Sequence, residues 1–272
     1  LDPKDEFIRV VISALHEACA DNGYDLLLNC VATKQGDHDV LESALDGRID
    51  GLILLSPPDG RDAVKLQSAG VPVVAISDRV PMLPSVIPDN FFGGQLQARH
   101  LAGLGHKRIL YLGDQERYVS VVDRESGFLA EAETLGLEVE LVFLARADHP
   151  QGLLGRSEVQ DDLRRGRWTA IVAWSDHRAQ LVCDLLTRAG FEIPRDVSVV
   201  GFNGTDHGVP LRFELTTIDA GHRNVVLQAC EHLFSLLRGE AIPALTALPV
   251  TLLVGSTTGP TSEMSNEGHQ RK

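Results

Sequence analysis

No stretch of this 272-residue chain approaches the roughly 18 consecutive apolar residues of a membrane-spanning helix, and no charged-then-apolar leader opens it. This stretch reads as a soluble piece. Positive charge is also short: 25 Lys and Arg stand against 38 Asp and Glu, a formal charge of −13. Such a surface repels a phosphate backbone, so this stretch alone is a poor DNA binder. Cysteine is sparse, with Cys19, Cys30, Cys183 and Cys230 forming no CxxC pair and no metal-knuckle spacing. They read as reduced, mostly buried structural thiols, which fits a cytoplasmic setting, and neither a metal nor another cofactor is expected. Catalytic signatures are missing too: there is no GxSxG elbow, P-loop, GxGxxG after a strand, or HExxH. The pairs Asp37-His38, Asp148-His149 and Asp206-His207 are adjacent in sequence, which does not place them on one site. The expectation is a binder and not an enzyme.

What the chain does contain is a regular alternation. Phe7, Val10, Val11, Ala14, Leu15 and Ala18 recur at steps of three and four, which predicts an amphipathic helix over residues 5 to 22. The apolar strand YDLLLNCV follows, and the pattern repeats. Helices are expected near 38 to 47, 60 to 69, 91 to 104, 121 to 135, 157 to 165 and 177 to 189; the intervening strands are GLILL, VPVVAI, RILYL, VELVFL, TAIVAW and VSVVGF. After Phe202 come LTTI, a helix near 221 to 238 and a last strand LPVTLLV. Continuous apolar strands between helices imply parallel sheets covered on both faces, hence an α/β fold. About ten strands exceed one compact sheet in a chain of this size, so two lobes are expected. Parallel sheets take ligands at the carboxyl ends of their strands. The polar tips SPPDG, SDRVP, GDQER, WSDH and FNGTD fall there. The opening LDPKDEF enters a helix directly, whereas a βαβ series opens on a strand. A first strand is therefore expected upstream, in which case the lack of a leader here says little about the intact protein. The closing GPTSEMSNEGHQRK is small and polar and reads as a disordered tail.

Several stretches together resemble the effector-binding domain of the LacI/GalR family of bacterial transcription regulators. They are VIPDNFFGGQLQARHLAGLGHKRILYLGD at 86 to 114, DRESGF at 123 to 128, TAIVAWSDHRAQLVCDLLTRAGFEIPRDVSVVGFNG at 169 to 204, and LTTID at 215 to 219. The resemblance implies a periplasmic-binding-protein-like fold of two Rossmann-like lobes joined by three crossovers. One lobe would hold residues 1–104 and 221–246, the other 105–218 and 247–258, with 259–272 as the tail. It also implies a small-molecule effector, a sugar or similar metabolite, bound between the lobes of a homodimer. Operator DNA would be held by a helix-turn-helix absent from this sequence. An extracytoplasmic sugar-binding protein of a transporter shares the fold, and a sensor that no longer binds DNA is a third reading.

The resemblance assigns the candidate contacts. Arg124 would reach the ligand, since a charged planar fork donates paired hydrogen bonds; the alternative is an exposed helix-start arginine in a surface ion pair. Ser126 would sit nearby. Asn203 stands where the family often has Asp, so an amide would both donate and accept, or merely serve its own turn. Asp176 is expected to cap the following helix, leaving Ser175 as the better ligand contact of the two. Phe7 and Ile8 fall where the family often shows paired aromatics, although Phe7 also fits the buried stripe; Phe92 would form a cleft edge. His149 and His222 match cleft positions loosely.

Overall fold

The structure, a computed structural model, describes residues 6–28, 47–55, 65, 66, 68, 70–145, 150–204 and 214–261. It divides into two compact units. The first comprises Leu1–Pro88 with Gly221–Pro249, the second Asp89–Ala220 with Val250–Lys272, so the chain crosses between them three times.

In the first unit α1 (Glu6–Asp21) precedes four parallel strands, β1 (Leu52–Leu54), β2 (Val73–Ile76), β3 (Ser85–Pro88) and β9 (Leu245–Leu248), in the order β1-β2-β3-β9. The period-two alternation of β2 sends Val74 and Ile76 to one face and Val73 and Ala75 to the other. On the first face Val11, Ala14, Leu15 and Ala18 of α1 meet Val225, Val226, Ala229, Cys230, Leu233 and Phe234 of α7 (His222–Leu237). The predicted stripe of α1 is thus its buried face. Gly51 leaves room for Leu233, whose Cδ1 would lie 2.9 Å from any Cβ there.

The second unit holds β4 (Arg108–Asp114), β5 (Glu138–Leu144), β6 (Ala170–Ala173), β7 (Ser198–Asn203), β8 (Thr216–Asp219) and β10 (Thr251–Leu253). Their order is β10-β8-β7-β6-β4-β5, parallel except for β10. Helices α2 (Asn90–Gly103) and α3 (Val119–Thr134) cover Ile109, Tyr111, Val172 and Val200 on one face. The short α4 (Gln151–Leu154), α5 (Ser157–Arg164) and α6 (Asp176–Arg188) cover Leu110, Leu112, Ile171 and Val199 on the other.

Five sequence expectations are corrected. Helix α2 belongs to the second unit and not the first, because it packs along α3 at a backbone distance only glycine allows: a Cβ at Gly94 would overlap the Arg124 carbonyl oxygen, and one at Gly127 the Phe91 carbonyl oxygen. The expected single strand LPVTLLV is two strands in two sheets, β9 ending before Pro249 and β10 beginning after it; proline has no N–H to continue a ladder. Strand β3 had no place in the expected series, since Pro84 and Pro88 bracket it like a loop. Of the tail, Gly259 and Thr261 are hydrogen-bonded to the second unit: Gly259 N–H donates to Ser198 Oγ of β7 at 3.1 Å and Thr261 N–H to the carbonyl of Leu104, just after Gly103, at 3.0 Å. Of the expected strand YDLLLNCV, residues 24–28 form no strand, and the rest lies outside the described residues, as does most of the helix expected near 38 to 47. Cys19, Cys183 and Cys230 are free thiols; burial pushes those of Cys183 and Cys230 up to about 12. Cys30 lies outside the described residues.

The GHKRI motif is explained by the same closing segment. His106 is buried, with Nε2 3.1 Å from Gly259 O and Nδ1 2.9 Å from Thr169 Oγ1. A carbonyl can only accept, so Nε2 carries the proton and the threonine hydroxyl donates to Nδ1. Burial pushes the His106 pKa down to about 4, below its ordinary 6.5. The unfolded chain therefore takes up a proton that the folded one refuses, and this contribution to stability, complete above pH 6.5, is lost as pH falls toward 4. Burial of His100, whose Nε2 lies 2.9 Å from Thr258 Oγ1, acts in the same direction. Urea titrations at pH 7 and 4.5 should differ by about 2–3 kcal/mol through His106 alone. In His106→Gln the pH slope should flatten; an unchanged slope would mean that the ring is not buried neutral.

Candidate functional site

Asp114, Leu144, Ala173, Asn203 and Asp219 end the parallel strands of the second unit on one edge of its sheet, where such folds hold ligands. Arg124 of α3 lies at the centre of this edge, 6% exposed. Its Nε donates to Asn90 Oδ1 at 2.9 Å and its Nη1 to the Trp174 carbonyl at 2.9 Å, while Cζ sits 3.8 Å from the centroid of the Phe202 ring. Three elements thus hold one guanidinium plane. The local sequence explains how. Asp89 accepts from Phe92 N–H at 3.0 Å and starts α2 at Asn90. Gly93 admits the Phe202 ring, whose Cζ would lie 2.6 Å from a Cβ, and Gly94 with Gly127 lets α2 reach α3. In DNFFGG and RESGF the glycines therefore do as much for the site as the polar residues.

A second polar group gathers at the ends of β7 and β8. Asn203 has φ +130°, a conformation that favours glycine, and its carbonyl accepts from Ala220 N–H at 3.2 Å. It pairs in register with Asp219, and Gly204 packs directly on Asp219. Just behind lies Asp176, 1% exposed, whose Oδ1 accepts from Thr217 Oγ1. Gly201 makes that possible, since a Cβ there would overlap the same oxygen. Toward β5, Arg117 grips the buried Glu125 with two hydrogen bonds of 2.6 and 3.1 Å, and its guanidinium lies 5.0 Å from the Phe143 ring centroid. The bond to Glu125 holds the Arg117 pKa above its ordinary value.

The expected residues fall in three groups. Arg124, Asn203, Ser175 and Asp176 share the carboxyl edge of the second sheet, and Phe92, 37% exposed, lies in the first turn of α2. Arg124 is buried within α3 and is not the exposed helix-start residue of the alternative reading. The cap expected of Asp176 falls instead to Ser175, which accepts from Arg178 N–H at 3.4 Å, while the Asp176 carboxylate is turned inward to Thr217. Ser126 is exposed on α3, about 200° around the helix from Arg124, so the structure does not bring the two together. Phe7, Ile8 and His222 belong to the first unit. Ile8 is buried in its core, and Phe7 packs against the same core with its ring edge-on to His222 at 4.6 Å. His149 lies outside the described residues. Sequence reasoning missed Asn90, Trp174, Phe202 and Thr217, which act through contacts distant in the chain. All four lie inside the stretches quoted for the resemblance, but nothing local in those stretches marks the distant atom each one meets. Among the described residues no group of three His, Cys, Asp or Glu could hold a metal ion, and no helix is long and apolar enough to cross a membrane.

Comparison with known proteins agrees with the fold. Residues 98–258 match the periplasmic binding protein-like domain. The helix-turn-helix-type transcriptional repressor PurR of Mannheimia succiniciproducens is 29% identical over 238 residues, 82% of this chain and 69% of the relative. A LacI family transcriptional regulator from Mycobacterium smegmatis, of solved structure, is 28% identical with a TM-score of 0.78, covering 96% of this chain and 98% of that one. A periplasmic binding protein/LacI transcriptional regulator from Alkaliphilus metalliredigens, solved with D-xylulofuranose, shares the fold at 23% identity and a TM-score of 0.78, covering 94% of this chain and 96% of that one.

Proposed function

The chain belongs to the periplasmic binding protein-like domain family, as the effector-binding domain of a LacI-type regulator, and we propose on that footing that it senses a sugar or related polyhydroxy metabolite. The observation that carries this reading is the Arg124 guanidinium, held by Asn90, the Trp174 carbonyl and Phe202 at the strand ends. A donor fixed before the ligand arrives loses little conformational freedom on binding, and its planar geometry suits vicinal hydroxyls or a carboxylate. Asn203 adds an amide that donates and accepts in the same site, beside Asp219. The aromatic face of Phe92 offers an apolar sugar face a place to stack, and the protein of like fold that holds D-xylulofuranose supports the ligand class. Phe7 and His222, in edge contact in the first unit, are further candidates.

The regulator works in the cytoplasm as a homodimer on this reading, and two helix-turn-helix segments read two operator half-sites. Ligand binding and operator binding then change each other by the same factor. No chemical step is assigned to the domain.

Calorimetric titration of this chain with pentoses, hexoses, disaccharides, sugar acids, nucleosides and purines tests the reading. One class should bind, and Asn203→Asp should change the ranking among its stereoisomers, because a carboxylate accepts from two hydroxyls where the amide accepts once and donates. Silence across the panel in folded protein, or a ranking untouched by Asn203→Asp, would count against this site.

A further inference from the structure

At the opposite end of the same strands the second unit carries a cavity of about 260 Å³ lined by Lys107, Arg108, Arg164, Arg165, Gly166 and Thr169. Four cations line it in a chain whose net charge is −13, and among the described residues no acidic side chain is in the wall. The placement is built. Arg108 donates from Nε to Gly166 O at 2.9 Å, and Gly166, with φ +69°, turns the chain from α5 toward β6. Thr169 is positioned by His106. Arginines in the last turn of α5 would answer the helix dipole, which accounts for Arg164 and Arg165 but not for the two cations that open β4.

Two nearby carboxylates are engaged elsewhere. Asp162 and Glu140 both bind Arg167, at 3.0 and 3.1 Å, and Arg167 is not in the wall. Of the four cations Arg164 is already engaged, donating to Asp161 at 3.3 Å and to the Ala189 carbonyl at 3.4 Å. Glu138 stands opposite Arg108 in the β4–β5 register without lining the cavity. Neither Lys107 nor Arg165 has an ion-pair partner among the described residues, and both are exposed. Like charges this close repel one another, and a dianion among them relieves the repulsion. Guanidinium forks and an ammonium suit the several oxygens of a phosphoryl group better than a single carboxylate.

We propose that this cavity is a second ligand site, separate from the Arg124 edge, that binds a phosphate group, either inorganic phosphate or the terminal group of a small phosphorylated metabolite. Strands β4 and β6 carry it at their amino ends and the effector site at their carboxyl ends.

The test is titration of the whole chain at fixed ionic strength with inorganic phosphate, glucose 6-phosphate and, as control, chloride, followed by amide shifts in nuclear magnetic resonance. Phosphate should move the amides of Gly105, Gly166 and Thr169, and the Lys107→Gln/Arg165→Gln double variant should weaken binding at least about tenfold. Both side chains are exposed, so the variant should fold, and Lys107→Gln alone gives a smaller loss in the same direction. A tighter response to glucose 6-phosphate identifies a phosphorylated metabolite as the source; an equal one identifies phosphate alone. The proposal is overturned if phosphate does no more than chloride, if the double variant binds as well as the parent, or if the moved amides are those of Ser175 and Asn203. It is equally overturned if only duplex DNA moves the cavity amides. None of these results depends on whether a sugar binds at Arg124.

Discussion

Gly127→Ala is expected to destabilise the second unit by at least about 3 kcal/mol, at the upper end of what overpacking costs. The added methyl would overlap the Phe91 carbonyl oxygen, a backbone atom that cannot rotate aside as a side-chain tip can. To relieve the clash α2 must move away from α3, and that movement separates Asn90 from Arg124 and opens the core around Phe128 and Leu101. Alanine's better helix propensity returns only about 1 kcal/mol. Gly103→Ala is the control, since nothing lies within 4 Å of a Cβ there and α2 gains the propensity alone. Urea denaturation followed by circular dichroism should show the first variant strongly weakened and the second unchanged or slightly strengthened. Equal midpoints would show that the helices do not approach as closely as these glycines indicate.

The second large effect belongs to Arg124. Arg124→Ala should weaken effector binding by about a hundredfold or more, because charge-assisted hydrogen bonds contribute about 1.5–3 kcal/mol each and a fork offers more than one. Stability should fall as well. The Trp174 carbonyl and the Asn90 side chain each lose a donor, and a buried polar group left without its partner costs about 1–3 kcal/mol. Arg124→Lys separates these contributions. An ammonium keeps the charge but cannot serve Asn90, Trp174 and a ligand in one plane, so affinity should stay low while part of the stability returns. Calorimetry gives the affinity and thermal unfolding the stability. If Arg124→Lys bound the effector as tightly as the parent, a point charge would suffice and the fixed plane would not be what recognises the ligand.

Much of the architecture was legible beforehand because the local signals were strong. Helices α3 and α6 carry apolar residues at three- and four-residue steps, and β4, β6 and β7 are continuous apolar runs that must be covered on both faces. Where the local signal contradicted the long-range need, it misled. β3 lies between prolines and owes its place to parallel neighbours on both sides, β2 and β9. The run from Leu248 to Val254 looked like one strand because apolar composition does not record that Pro249 interrupts the ladder.

The site divides in the same way. The resemblance, carried by RESGF and VVGFNG, pointed to Arg124 and Asn203, and both lie at the carboxyl edge of the second sheet. The cap expected of Asp176 went to Ser175, because adjacent polar residues before a helix compete for it and Thr217, distant in the chain, draws Asp176 inward. The sequence by itself determined the α/β alternation, the parallel sheets and the edge on which polar residues collect, since each follows from periodicity within about ten residues. The tertiary structure alone decided that α2 lies on the second sheet, that Asn90, Trp174 and Phe202 hold Arg124, and that Lys107 and Arg165 face one cavity. Those outcomes rest on contacts between residues far apart in the chain, and no local pattern encodes which distant atom a carboxylate, a ring or a bare Cα will meet.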